Sequence, residues 1–166
     1  MLVLAKIVAA IYSDVVFITR RLRVLDEEEI FPLMFNASPE NLAMGSIAVG
    51  GYCFVALAND GCPVAAFGAT LQKPAIFSVW MFATDRWPDV ALSVTRHIRR
   101  VMMPEMIEDG ANRADCWSMD GHDVAHRWLE VLGARREATL DDYGPTRKKY
   151  HCYSWTRTRL ERDGSF

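Results

Sequence analysis

Apolar residues in this chain fall in short runs broken by turn chemistry, and one long helical period lies between two of those runs. Ser78-Val79-Trp80-Met81-Phe82 is apolar, aromatic and too short for a helix, so the pattern predicts a strand from Phe77 to Ala83. Thr84-Asp85-Arg86-Trp87-Pro88 then turns the chain, with Pro88 suited to a first helical position, where its missing N–H costs nothing. From Asp89 onward Val90, Ala91, Val94, Ile98, Val101, Met102 and Met106 recur on one arc at a period of about 3.6 residues. Ser93, Arg96, Arg99 and Arg100 take the opposite arc, with Leu92 and Ile107 as exceptions. Gly110 ends this helix, and Ala114 to Trp117 returns to strand-like composition. A strand feeding a helix N-terminus points free N–H groups and the positive end of the helix dipole at the turn, which makes it a place to look for an anion.

The flanking segments add layers to that unit. Lys6 to Ala10 predicts a strand; Ser13 and Asp14 are read as caps of a short helix ending in Arg20-Arg21-Leu22-Arg23. Asp26-Glu27-Glu28-Glu29 starts a second helix with acids in its first turn, and Ser38-Pro39-Glu40 starts a third that Gly50-Gly51 closes. Tyr52 to Ala58 and Pro63 to Thr70 form a hairpin around Asn59-Asp60-Gly61, with Gly68 marking a bulge or a close backbone approach. After Trp117, a helix is predicted to bury Val124, Ala125, Trp128, Val131 and Leu132, leaving His126 on the surface. Glu137 to Leu140 and Tyr150 to Thr156 make a final hairpin. The expected organisation is one domain, residues 1–156, followed by a polar tail, 157–166, that frays.

Composition narrows the function classes modestly. A net charge of −2 gives no global attraction to nucleic acid or anionic membrane. The apolar start, Met1 to Tyr12, lacks a basic leader and is interrupted by Lys6, so it reads as a strand and not as a signal or membrane span. Cys53, Cys62, Cys116 and Cys152 form no C-x-x-C pair and read as reduced thiols of a cytosolic protein. Of the tryptophans, Trp80, Trp117 and Trp128 are assigned to the core, and Trp87 to a lid or an interface anchor.

Two local patterns and the element order together carry a resemblance. His122-x-x-Ala125-x-x-Trp128-Leu129-x-x-Leu132-Gly133-Ala134 and Arg86-Trp87-Pro88-Asp89-Val90-Ala91 stand in a β, helices, βββ, α, β, α, ββ order. This is similar to the GCN5-related N-acetyltransferase (GNAT) fold: an α/β protein with a mixed sheet, helices on both faces, and the two patterns at the family's late helix and pyrophosphate loop. The segments Ser78–Asp85, Val90–Ser93 and Arg127–Ala134 also resemble acetyltransferase-like, internal-virion-associated proteins of short-tailed bacteriophages. The resemblance implies acetyl-CoA or CoA as cofactor, its pantetheine arm between two splayed strands and its pyrophosphate at the following helix start. Carried onto this chain, that site comprises Phe82, Ala83, Thr84, Arg86, Trp87, Asp89, Val90, Ala91 and His122. The phage branch implies a phage structural protein or host protein as partner, the host cytoplasm or the virion as location, and leaves an oligomer open.

This chain departs from the GNAT pattern at chemically sensitive positions. Asp89 replaces a loop glycine, so a side chain blocks close backbone approach and its carboxylate repels a pyrophosphate. Leu129 stands where the family often has the tyrosine that protonates the departing thiolate, and the Phe77 strand offers no acid to act as base. Ser118 and His122 are the catalytic candidates that remain. His122-Asp123-Val124-Ala125-His126 only approximates the zinc motif H-E-x-x-H and lacks a third ligand nearby, so no metal is expected. Ser118, Asp120 and His122 lie too close in sequence for a hydrolytic triad. The basic groups Arg96, Arg99, Arg100 and Arg147-Lys148-Lys149 are interspersed with acids and read as solvated faces, with no nucleic-acid role.

Overall fold

A computed structural model describes residues 5–164. It contains a seven-stranded mixed sheet in the order β1-β2-β3-β4-β5-β7-β6. The strands are β1 (Lys6–Ala9), β2 (Tyr52–Leu57), β3 (Pro63–Lys73), β4 (Ile76–Ala83), β5 (Arg113–Met119), β6 (Arg135–Leu140) and β7 (Tyr150–Thr156). Only β4 and β5 run parallel; every other neighbouring pair is antiparallel. Helices α1 (Tyr12–Thr19), α2 (Val24–Ile30) and α3 (Pro39–Ala48) precede β2. α4 (Trp87–His97) links β4 towards β5, α6 (Asp123–Val131) follows β5, and α7 (Arg157–Arg162) closes the described chain.

The sheet separates two apolar cores. Phe67, Phe77, Val90, Val94 and Tyr153 belong to one, beneath α4 and α6; Val15, Ile18, Ala43, Val55 and Phe82 form the other, against α1 and α3. Ser38 caps α3 by accepting the Asn41 N–H at 3.0 Å, with Pro39 as first helical residue. At Gly68 a Cβ would stand 2.0 Å from the Tyr52 carbonyl oxygen and 2.7 Å from the Trp80 ring, so glycine is required for the Trp80 indole to lie across β3.

The long helix differs from its sequence pattern. α4 passes through a π-helical stretch, Ile98–Met102, before α5 (Met103–Glu108). Pro104 explains this: it has no N–H, and its ring clashes with the carbonyl four residues back, so the ladder slips to a wider turn. Ser93, expected on the polar arc, is buried and accepts the Ala5 N–H at 3.0 Å.

Several other expectations need correction. Ile11, not Ser13 or Asp14, occupies the α1 N-cap position. Trp87 is neither lid nor anchor: it is buried with its ring edge-on to Trp128, centroids 5.1 Å apart. Trp117 is partly exposed and stacks on Tyr143. In α6 the buried side chains are His126 and Leu129, while Val124 and Val131 face solvent. His126 packs from α6 onto Tyr153 of β7, ring centroids 5.2 Å apart, so the helix turns that face, and not Val124, towards the sheet. The expected frayed tail carries α7, anchored by Arg157, whose guanidinium donates to the Ile107 and Ala111 carbonyls. The outer parts of the terminal assignments, Met1–Leu4 and Ser165–Phe166, lie outside the described residues.

Candidate functional site

β4 and β5 pair only over Ile76–Ser78 with Arg113–Asp115. Beyond that, β4 stays registered on β3 as far as Ala83 and β5 on β7 as far as Met119, so the two strands part. The gap opens into a cavity of about 500 Å³ reaching from the α3 side of the sheet to the α4–α6 side. Its walls include Leu42 and Trp80 on one side and Met102, Met106, Leu129 and Trp155 on the other.

A buried polar cluster from α2 sits in this gap. The Ala83 carbonyl accepts the Arg23 N–H, and the Ala83 N–H donates to Asp26 Oδ2, both at 2.9 Å. Leu22 bridges Thr84 in antiparallel fashion, so Leu22–Asp26 lies as a strap along the inner edge of β4. Asp26 also receives two hydrogen bonds from the Arg23 guanidinium at 2.9 Å and one from His122 Nε2 at 2.8 Å. Burial pushes the Asp26 carboxyl up, but the hydrogen bonds from His122 and Arg23 outweigh it and hold the pKa below the ordinary value. His122 Nδ1 is buried without a partner among the described residues.

Glu29, one helical turn further along α2, has a different environment. Its Oε2 accepts the Ser118 hydroxyl at 3.3 Å and lies 4.0 Å from His122 Nε2. Burial dominates and raises its pKa to about 7; the nearby His122 offsets only part of this. The two acids therefore differ near neutrality: Asp26 is an ionised strut, and Glu29 can take or give a proton.

The turn after β4 is also self-contained. Thr84 N–H donates to the Val64 carbonyl at 2.8 Å, the Trp87 N–H to the Thr84 carbonyl at 3.0 Å, and the Arg86 N–H to Thr84 Oγ1 at 3.3 Å. The Arg86 guanidinium bridges Asp60 at 2.8 Å and Asp89 at 2.9 Å. Hydrogen bonds to Asp60 and Asp89 raise the Arg86 pKa, and the bond from Arg86 lowers that of Asp60.

The expected cofactor residues thus cluster, but in differing states. Phe82, Ala83, Thr84, Trp87 and Val90 are buried; Arg86 and Asp89 are exposed and joined to each other; Ala91 is half-buried in the first turns of α4. Ser118 and His122 do meet in the gap, through Glu29 and Asp26, whereas Asp120 pairs with His151 at 2.8 Å instead. Sequence reading missed Arg23, Asp26, Glu29 and Asp60. The available signal was the three-residue spacing of Asp26 and Glu29, which puts both on one helix face, but acids in a first helical turn have an ordinary explanation.

A CoA diphosphate does not fit the residues present. The sole arginine of the turn already serves two carboxylates, Asp85 adds a third acid next to it in sequence, and the strap covers the Ala83 edge. Among the described residues no cluster of histidine, cysteine or acid is placed to hold a metal, and no helix is long and apolar enough to cross a membrane.

Comparison with solved structures places the fold. An acetyltransferase of the GNAT family from Bacillus anthracis matches at a TM-score of 0.71 and 11% identity, over 93% of this chain and 95% of that one. Ard1 from Thermoplasma volcanium matches at 0.71 and 13%, over 93% and 98%. The ribosomal-protein-S18-alanine N-acetyltransferase from Escherichia coli matches at 0.66 and 13%, over 92% and 94%. At these identities the likeness is one of fold, and the chain has the GNAT acetyltransferase fold over nearly its whole length. No family model and no curated protein matches the sequence.

Proposed function

We propose that this protein is a degenerate acetyltransferase-fold protein that works by binding and not by acetyl-CoA-dependent transfer. The observation that carries this reading is the clamp of Arg86 between Asp60 and Asp89, which spends the turn's guanidinium on the protein's own acids. A diphosphate arriving there meets carboxylates and an already paired cation. Covering of the Ala83 backbone by Arg23 and Asp26 supports the same reading. We further infer an accessory role in a short-tailed bacteriophage, in virion assembly, genome ejection or capture of a host factor. Its support is the resemblance of Ser78–Asp85 and Arg127–Ala134 to proteins of that kind. Isothermal titration of the protein with acetyl-CoA and with CoA should give no binding heat; a micromolar Kd for either overturns the reading.

One observation favours a second reading, an active N-acetyltransferase acting on a phage or host protein or a small amine. Glu29 faces the gap with a carboxyl poised near neutrality, the property a general base needs. Thiol release from acetyl-CoA across a panel of amines and host proteins, abolished by Glu29→Gln, would establish it. Silence across the panel would retire it.

A further inference from the structure

The cavity in the β4–β5 gap has a composition that the proposed binding role leaves unexplained. An apolar crevice of a few hundred Å³ with a few convergent polar groups is the usual form of a small-molecule site. Here about 500 Å³ is left beside the buried core residues Phe67, Ile98, Met102, Met106, Leu132 and Trp155. Five of the eight methionines in the chain line it: Met34, Met81, Met102, Met103 and Met106. Methionine walls adapt to flexible apolar groups, and the π-helical stretch at Ile98–Met102 widens the helix along that wall. The two indoles on this side turn their polar atoms away: Trp155 Nε1 donates to the Leu132 carbonyl and Trp128 Nε1 to Thr95 Oγ1, both at 2.9 Å.

The other end of the cavity is polar, and among the described residues it has no free cation. Each arginine on the wall is committed: Arg23 to Asp26, Arg113 to Asp115 and Glu137, and Arg157 to the Ile107 and Ala111 carbonyls. The lining there is Glu29, Ser118, whose hydroxyl donates to Glu29 Oε2, and His122, a side chain 3% exposed whose buried Nδ1 has no partner among the described residues.

We propose that the β4–β5 crevice binds a flexible apolar chain, an alkyl or acyl group of medium length, whose head is a hydrogen-bonding group other than an anion. The chain lies among Met102, Met106 and Trp155, and the head meets Glu29, Ser118 and His122. This deepens the binding role proposed above by naming the ligand class. Glu29 sets the selectivity, since an anionic head would be buried beside its carboxylate with no free cation to compensate.

The test uses the whole protein at about pH 8, above the range in which Glu29 keeps its proton. The fluorescent probe N-phenyl-1-naphthylamine is titrated in, with decan-1-ol and decanoate as competitors. The proposal requires one probe molecule per chain and displacement by decanol at an affinity at least about tenfold tighter than by decanoate, which is about 1.4 kcal/mol. Glu29→Gln should shrink that gap to about threefold or less, because the repelling charge is gone. Met106→Trp and, separately, Ala125→Phe should each weaken probe binding by filling the cavity; variants whose melting is unchanged are the ones read. Absence of probe binding to the wild type, or equal displacement by decanol and decanoate, overturns the proposal. Failure of the wider binding reading is seen separately, as heat on titration with CoA.

Discussion

Two arginine–carboxylate clusters flank the end of β4, chemically alike and physically opposite. Arg23–Asp26 is buried, with side chains 13% and 4% exposed, and hydrogen-bonds the β4 backbone and His122 as well. Arg86 with Asp60 and Asp89 is about half exposed and joins the β2–β3 loop to the first turn of α4. A buried pair with every lone pair engaged is costly to break from one side, since the surviving charge stays buried. An exposed cluster is screened by water and salt and adds little stability. The contrast separates two settings: the inner cluster holds the strap against β4, and the outer one sets two carboxylates beside the arginine of the turn.

The largest expected effect tests the inner cluster. Asp26→Ala leaves the Arg23 guanidinium, the Ala83 N–H and the His122 N–H facing a hole, and should lower unfolding free energy in urea by about 3–5 kcal/mol. A loss under about 1 kcal/mol would erase the distinction between the clusters.

Glu29 sharpens the contrast through pH. Its native pKa of about 7 lies above the value of about 4.5 it has when unfolded, so between those values the unfolded chain releases a proton that the native protein keeps. Stability from this group is therefore full below the unfolded pKa, falls as pH rises towards 7, and stays low above it. Glu29→Gln removes the fall, so its stability relative to wild type should improve by about 1–3 kcal/mol between about pH 4.5 and pH 8 in urea titrations. A pH-independent difference would contradict the assignment.

Next in size is the outer cluster's effect on ligands. Replacing Asp60 by Asn and Asp89 by Gly together frees Arg86, and calorimetry should show binding heat with CoA where the wild type gives none. No change would mean that charge in the turn is not what keeps a diphosphate out. The smallest effect is on stability: Asp60→Asn alone should leave the urea midpoint where it is in the wild type. A clear shift would show the exposed cluster to be structural.

Much of the fold was legible because its signals are local. Ser38-Pro39 before an apolar period, Asn59-Asp60-Gly61 between strands, and a run from Phe77 into the Pro88 turn each specify an element without distant information. Gly68 was legible for the same reason, since glycine within a strand has few purposes. What the sequence hid was set by residues far apart along the chain. Asp26 meets Ala83 across 57 residues and His122 across 96, and no spacing rule links them. The buried face of α6 was misjudged for a related reason: His126 gains Tyr153 from β7, while Val124 finds no neighbour to cover it. Arg86 reads from the sequence as part of a cofactor site; in the fold it bonds Asp89 and also Asp60, which comes from a hairpin loop that only folding brings alongside.

On the binding reading proposed above, the crevice persists while the arginine of the adjoining turn stays paired with the protein's own acids. The direct measurement is a crystal structure of the protein grown with millimolar acetyl-CoA. Arg86 should still span Asp60 and Asp89, Leu22–Asp26 should still lie on the β4 edge, and no diphosphate should sit at the start of α4. A diphosphate bound there with Arg86 turned onto it would make the turn a cofactor site and end the binding-only reading.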